Sequence, residues 1–315
     1  MSMQILNKEQ IKTSLNIELA YSLIKEGFRL HAWQKSILPP VGQLNLDKGS
    51  LHIKYGMIEG QDIFVVKQAT GFSSNWEKNL PTGDGFISVY CAHTGLLKAL
   101  LLDQGYLTDL RTALSVRYCA ERYAPAKTKQ IGIIGTGTQA LLTAEHQFQA
   151  TGCRNILLWG RNHQRVARVE KILKEKGFRV SIRSSAQDVF RGSDVVITTT
   201  ASREALIQNQ GVFGNKLIIA VGADEKGKRE LDSDLLSGAD HLFADHPKQC
   251  LLIGDLQHYT GDPTRVKLVG SELQGGRKSL SGLIVVDLTG TAVADIQISR
   301  SLLEGLSPVA DRLRI

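Results

Sequence analysis

The chain has little with which to cross-link itself or to span a bilayer. Its 315 residues include four cysteines, Cys91, Cys119, Cys153 and Cys250, and no two share the short spacing of a zinc-ligand pair or a redox dithiol. No apolar run approaches the roughly 20 residues that cross a membrane. The opening Met1-Ser-Met-Gln-Ile-Leu-Asn-Lys-Glu-Gln10 lacks the apolar centre of a secretion signal. These absences predict a protein of the reducing cytoplasm with no membrane partner. A basic arm is missing too, and the lysines and arginines are scattered rather than interleaved with aromatics. The net charge of +7 therefore favours small anionic ligands, and no nucleic acid partner is predicted. His241, Asp245, His246 and Cys250 are of metal-ligating type, but they follow an apparent strand end and enclose Pro247. They do not share one helical face, so no metal site is predicted.

What the sequence does hold is a glycine-broken apolar run, Ile131-Gly-Ile-Ile-Gly-Thr-Gly-Thr-Gln-Ala140. A buried strand ends at Ile134, Gly135 permits a tight turn, Gly137 lets backbone approach a pyrophosphate, and Ala140 takes the small position where helix packs on strand. A helix from about Thr138 then aims free N–H groups at the phosphates, with Thr136 and Gln139 beside them. Glycine-rich strand-to-helix turns also arise for structural reasons alone, so the next strand decides. Asn155–Trp159 sits where a dinucleotide fold places an acid for the ribose 2′-hydroxyl, and none is present. Gly160-Arg161-Asn162 follows instead. Glycine leaves space and a guanidinium pairs with a 2′-phosphate, which predicts NADP(H) in preference to NAD(H), with Arg161 as main partner and Asn162 as helper. The competing reading is that Arg161 merely begins a solvated helix face.

Length implies two lobes, and 42% hydrophobic with 22% charged residues is ordinary for a folded globular protein. Asn7 with Gln10 reads as a capping box, and Leu15, Leu19 and Leu23 followed by Gly27 read as an amphipathic helix ending at that glycine. Residues 36–46, 51–57, 63–69, 85–92 and 95–102 read as turn-bounded antiparallel strands, and 109–123 as a helix. From there strands at 130–134, 155–159, 179–182, 194–198, 217–221 and 241–243 alternate with helices, as in a doubly wound parallel sheet. Ligands of such sheets bind at the carboxyl ends of strands, which nominates Thr199, Thr200 and Ala201 after one and Val221, Gly222 and Asp224 after another. A helical segment returns from Gly290.

Together Val66-Lys67…Gly71-Phe72…Asn75, Thr94-Gly95, Leu107-Thr-Asp-Leu-Arg-Thr-Ala113, Gly135–Ala140, Val221-Gly-Ala-Asp224…Arg229-Glu-Leu231 and Gly290-Thr-Ala292…Asp295 resemble the ornithine cyclodeaminase/μ-crystallin family. The resemblance implies an α/β fold in which a Rossmann-type doubly wound sheet, residues 113–289, is inserted into a mixed α+β lobe. That lobe, residues 1–112 with 290–315, would bind substrate and pair two chains into a homodimer. It implies that Lys67 and Arg111, with Thr112, face a small cyclic imino acid or amino acid, and that Asp224 transfers a proton beside the nicotinamide. The chemistry is coherent. A cyclic ketimine carboxylate needs a cationic clamp at one end and a proton source at its nitrogen. Read alone, Lys67 could be an outward strand residue, Arg111 a local helix partner and Asp224 the start of a charged loop.

Two departures from the family pattern bear on the reaction. Cyclodeaminases carry an arginine in a P-x-R segment, whereas here the stretch reads Pro39-Pro-Val-Gly-Gln43, so Gln43 or a residue from elsewhere must serve. Where the family often has Lys-Ser, this chain has Asp287-Leu288-Thr289, and Thr289 or Thr291 is expected to substitute near the cofactor. With Gly160-Arg161, these favour an NADPH-dependent reductase of Δ1-pyrroline-2-carboxylate or its piperideine analogue. Ornithine cyclodeaminase with recycled NAD, alanine dehydrogenase, and a non-enzymatic NADP-dependent ligand binder stay as alternatives.

Overall fold

In a computed structural model describing residues 3–211, 214–271 and 280–306, the chain divides into two compact units. One lies within Met1–Arg111 and Thr291–Ile315, the other within Thr112–Gly290. In chain order the elements of the first are β1 (Gln4–Asn7), α1 (Lys8–Ser14), α2 (Ile17–Ala32), β2 (Ser36–Ile37), β3 (Gly42–Leu46), β4 (Gly49–Ile58), β5 (Ile63–Gly71), β6 (Gly83–Cys91) and β7 (Leu97–Leu102). The division between the units falls inside α3 (Tyr106–Tyr123). The second unit then runs β8 (Ile131–Ile134), α4 (Thr138–Thr151), β9 (Asn155–Trp159), α5 (His163–Glu175), β10 (Arg179–Ile182), α6 (Ala186–Gly192), β11 (Val195–Thr198), β12 (Lys216–Ala220), α7 (Ser233–Ser237), β13 (His241–Ala244), α8 (Pro247–Ile253), β14 (Val266–Leu268) and β15 (Leu283–Asp287). Finally α9 (Ala292–Leu306) rejoins the first unit. Among the described residues no helix is long and apolar enough to cross a membrane.

The second unit is the parallel α/β sheet expected from the alternating sequence pattern, in the order β10-β9-β8-β11-β12-β15-β13-β14. Its central strands are buried on both faces, so β8, β11 and, after Lys216, β12 are continuous apolar or small runs rather than alternating ones. Ile134, Leu157, Val196, Ile218 and Val285 meet in one core. The order reverses between β8 and β11: the chain winds outward through β9 and β10, then restarts on the other side. Loops at the carboxyl ends of those two strands diverge there, which opens the crevice where such sheets take ligands. Strands β14 and β15 are additional to those expected from the sequence. The short run Leu283–Asp287 enters between β12 and β13, a position fixed by long-range pairing rather than local pattern.

The first unit is a largely antiparallel sheet ordered β1-β7-β6-β5-β4-β2, with β3 pairing β4 and β1 parallel to β7. Helix α9 packs on α2 and across β4 and β5. Two expectations fail here. The N-terminal helix is not one helix ending at Gly27. The Asn7–Gln10 capping box starts α1, the chain breaks at Leu15, and the Asn16 side chain accepts from Leu19 N–H to start α2. Gly27 lies inside α2 because α9 crosses it closely: a Cβ there would stand 2.8 Å from Gln297 Cγ and Val293 Cγ1. Helix–helix approach, not helix termination, is what this glycine serves. Residues 36–46 are likewise not one strand, since Pro39-Pro40 separates β2 from β3 by removing two ladder donors. The α3 helix starts three residues ahead of the expected 109, near Asp103, whose Oδ2 accepts from Leu107 N–H at 2.7 Å.

Candidate functional site

In the second unit the glycine loop after β8 has the form an anionic ligand requires. Gly135 holds φ +133°, and a Cβ on it would collide with Thr199 Oγ1 and sit 3.0 Å from the Thr199 carbonyl oxygen. No other residue fits. Gly137, the N-cap of α4, has nothing within 4 Å of where a Cβ would stand, so backbone there is open to approach. The helix start is bare. No side chain caps it and its first turn carries no acid, so the donors and dipole of α4 face outward uncompensated. Thr136 and Gln139 are half-buried at this loop and Thr138 is exposed, while Ala140 is fully buried and sets the helix against the sheet. These residues fit a dinucleotide pyrophosphate, and they tie to neighbouring strand ends through Gly135 N–H to the Trp159 carbonyl and Thr199 N–H to the Ile134 carbonyl.

After β9, Gly160 turns out differently from its expected role. A Cβ on it would stand 2.5 Å from Thr136 Cγ2 and 3.2 Å from Val166 Cγ2, so the missing side chain accommodates protein packing rather than leaving room for a phosphate. Arg161 is exposed. Asn162 is exposed as well, but its Oδ1 accepts from Arg165 N–H at 3.0 Å and caps α5, which leaves only its amide nitrogen for a ligand.

A buried glutamate with no role expected from the sequence organises the ends of β11 and β12. Glu230 is fully buried, accepting from Thr198 Oγ1 and Thr200 N–H at 2.6 Å and from Gly222 N–H at 2.9 Å. Burial and the neighbouring Asp255 push its carboxyl above the usual range, and the Thr198 and Thr200 hydrogen bonds oppose them. Thus one side chain fixes two candidate cofactor segments, 198–201 and 221–224. Thr199 and Thr200 are half-buried, Ala201 is exposed, and Val221 N–H bonds the Thr198 carbonyl. Asp224 follows on the same loop, half-buried, with Lys228 Nζ donating to its Oδ1 at 2.6 Å. Thr289 is committed to the core: its hydroxyl lies 3.2 Å from Asp245 Oδ1 and accepts from Gln249. Asp287 is fully buried against Leu256 N–H. In the group weighed for metal ligands, His246 caps α8 and Asp245 accepts from Gly290 N–H.

In the first unit three segments far apart in sequence meet in a buried ionic cluster. Lys67 on β5 points to the sheet face covered by α9, and its Nζ donates to Asp295 Oδ1 at 2.9 Å. Arg111 from α3 places its Nε 3.1 Å from the same oxygen. All three side chains are almost inaccessible, at 3%, 6% and 0% exposure for Lys67, Arg111 and Asp295, so solvent screens this cluster little. Burial, with Arg111 adding to it, brings the Lys67 ammonium down to about 7 despite Asp295. Burial would raise Asp295, but Lys67 and Arg111 prevail and hold it below the usual carboxylate range. Asp295 was legible as part of a motif, yet nothing in the sequence assigned it as counter-ion. Thr112 is half-buried beside Arg111 on α3. Thr291 is buried ahead of α9, its hydroxyl without a hydrogen-bond partner among the described residues. Gln43 stands opposite His52, and His52 opposite Ala69, so it lies on the same sheet face as Lys67 but one strand further toward the edge. It is exposed on β3, donating to Asn45 Oδ1 at 2.8 Å, so the structure gives it no cationic or buried setting.

A family model described as the ornithine cyclodeaminase/mu-crystallin family matches residues 1–308. The chain belongs to that family. A putative dehydrogenase of Rhizobium meliloti is 28% identical over 94% of this chain and 94% of its own length. Among solved structures, an archaeal alanine dehydrogenase dimer with bound NAD matches with a TM-score of 0.88 and 25% identity, covering 100% of this chain and 98% of that one. The Δ1-pyrroline-2-carboxylate reductase of Thermococcus litoralis, in complex with NADH and L-proline, shares the fold with a TM-score of 0.88 at 20% identity, covering 96% and 97%. The family resemblance and the α/β fold expected from the sequence therefore stand, and the second unit has an NAD-binding fold.

Proposed function

We propose that this protein is an NADPH-dependent reductase of a small cyclic ketimine carboxylate. Δ1-Pyrroline-2-carboxylate, giving L-proline, ranks ahead of Δ1-piperideine-2-carboxylate, giving L-pipecolate. The observation that carries the reading is the convergence of buried Lys67 and Arg111 on a single carboxylate oxygen. Two cations retained in low dielectric around one anion are suited to bind a second carboxylate with fixed geometry. Lys67, Arg111 and Thr112 take the substrate carboxylate, and Asp224, or a water it orients, supplies the proton gained by the imine nitrogen. Lys228 holds that carboxylate in place.

Gly135 to Ala140 and the bare start of α4 hold the cofactor's pyrophosphate, and Arg161 pairs with the 2′-phosphate. Thr199, Thr200, Ala201, Val221, Gly222 and Thr291 line the remainder. The bound nicotinamide supplies a hydride to C2 of the imine. Alignment and fixed charge supply most of the acceleration that this chain's residues contribute. The absence of an acid after β9 supports NADPH over NADH, although relatives carry NAD or NADH. In this reading residues 1–112 with 290–315 are the substrate and dimerisation lobe and residues 113–289 the cofactor lobe of a cytoplasmic homodimer.

The test is oxidation of NADPH and of NADH with each imine, run beside ornithine and beside pyruvate with ammonia. Turnover of an imine with NADPH is expected. Ammonia release from ornithine with neither imine reduced reverses the assignment in favour of a cyclodeaminase, and reduction of pyruvate with ammonia alone favours an alanine dehydrogenase.

A further inference from the structure

Two buried polar atoms on one side of α9 have no hydrogen-bond partner among the described residues, Asp295 Oδ2 and the hydroxyl of Thr291. Four positions separate the two residues, which is one helical turn, so their side chains share a face. That face is turned to the sheet, because Lys67 Nζ on β5 donates to the other carboxylate oxygen, Oδ1, and Arg111 Nε lies 3.1 Å from it. The hydroxyl one turn further along, Ser299, donates to the Asp295 main-chain carbonyl and leaves Oδ2 unanswered. A buried acceptor without a donor costs about 1–3 kcal/mol, and more when it carries charge. Burial would raise Asp295, but Lys67 and Arg111 hold it below the usual carboxylate range. It therefore stays an anion at neutral pH, and its open oxygen calls for a donor from outside the fold.

We propose that Asp295 is a substrate-binding, specificity-determining residue whose Oδ2 accepts the N–H of the substrate nitrogen while Lys67 and Arg111 hold the substrate carboxylate. The inference rests on the carboxylate-binding reading of those two residues and deepens it. Nitrogen and carboxylate are borne on one carbon in an α-imino or α-amino acid. A ligand whose carboxylate rests on Lys67 and Arg111 thus brings its N–H beside the acid that those two already grip, and a charge-assisted hydrogen bond forms. Thr291, assigned above to the cofactor, marks the same face of α9 as ligand-bearing. Asp224 keeps proton transfer; Asp295 binds and orients. The protonated imine, the form that takes a hydride, presents N–H to Oδ2. A 2-oxo acid, or a ring with oxygen in place of nitrogen, meets Oδ2 lone pair to lone pair and is rejected.

The test is calorimetric binding of two flat probes with saturating NADPH present: pyrrole-2-carboxylate, which has a ring N–H, and furan-2-carboxylate, which has a ring oxygen in its place. Wild type is expected to bind the first about tenfold or more tightly, and Asp295→Asn to bring the two within about threefold. The ratio is the readout because losing the counter-ion of two buried cations weakens both probes alike, whereas a contact to nitrogen separates them. Asp224→Asn should keep the wild-type ratio. Equal affinities in wild type overturn the inference, as do a wild type that binds neither probe and a ratio left unchanged in Asp295→Asn. If Asp295→Asn does not fold, Asp224→Asn decides: a retained ratio supports the inference, and its loss hands the nitrogen to Asp224 and overturns it. Failure of the reductase assignment looks different. A wild type that reduces no imine but prefers pyrrole-2-carboxylate, with the preference lost in Asp295→Asn, keeps Asp295 in its role while that assignment falls. Imine reduction with equal probe affinities does the reverse.

Discussion

Lys67 Nζ and Asp295 Oδ1 lie 2.9 Å apart although 228 positions of sequence separate them, and both groups are buried. Removing one partner of such a pair leaves uncompensated charge in low dielectric. Asp295→Asn is therefore expected to destabilise the protein by about 3–5 kcal/mol. Urea denaturation of both proteins measures it, and a loss below 1 kcal/mol, approximately the worth of an exposed pair, contradicts the assignment.

The same lysine sets two opposite responses to pH. Its ammonium is brought down from 10.5 to about 7 in the folded protein, so between those values the unfolded chain binds more protons. Its contribution to stability therefore rises with pH across that window. Affinity for a carboxylate ligand moves the other way, because it needs the charged form and weakens as pH rises through about 7. Calorimetric titration with pyrrole-2-carboxylate from acid to alkaline pH should show the decline, and Lys67→Arg should flatten it.

Asp224→Asn tests proton transfer. The change removes a proton-transferring group while keeping its shape, so kcat is expected to fall by about 10²–10⁴ with NADPH affinity preserved. Single-turnover kinetics beside fluorescence titration of the cofactor distinguishes this from loss of binding. A protein that only binds ligand has no turnover to lose.

Arg161→Asp tests the choice of cofactor. An exposed guanidinium placed for the 2′-phosphate is replaced by a group that repels it, and kcat/KM with NADPH should fall on the order of 100-fold. The value with NADH should change by about threefold or less, since no 2′-phosphate is present to meet the new charge. Equal losses with both cofactors would assign Arg161 to the solvated surface of α5.

Glu230→Gln tests whether one buried acid holds the two strand-end segments. The native carboxylate accepts from the Thr198 hydroxyl and from Thr200 and Gly222 N–H groups. An amide turns at least one of these into a meeting of two donors, at a cost of about 1–3 kcal/mol. Dinucleotide affinity should weaken by a similar factor, about tenfold, whereas pyrrole-2-carboxylate binding should not.

The parts of this molecule legible in the sequence are those whose signals are local. Gly135, the apolar run before it and the small residue at Ala140 announce a strand, turn and helix within ten residues, and the fold has them. Asn7 with Gln10 announced a helix start in the same way. Misreadings came where the controlling partner is distant. Gly27 resembled a helix end, but α9 explains it, and Gly160 looked like space for a phosphate until Thr136 was found against it. The substrate-side cluster was only half visible. Lys67 and Arg111 stand out through motifs, whereas Asp295 acquires its meaning as their counter-ion only from the packing of α9. Gln43, nominated from its place near the missing arginine in sequence, is exposed on β3 and donates to Asn45.

The first unit takes its strands from before residue 112 and its last helix from after residue 290. A ribosome therefore releases Lys67 and Arg111 long before it releases Asp295. The continuous second unit has its whole sequence available earlier, and domains fold as units during synthesis. Until α9 emerges, Lys67 and Arg111 lack the aspartate that pairs with them in the folded protein. Translation order thus supplies the acid of this buried cluster last.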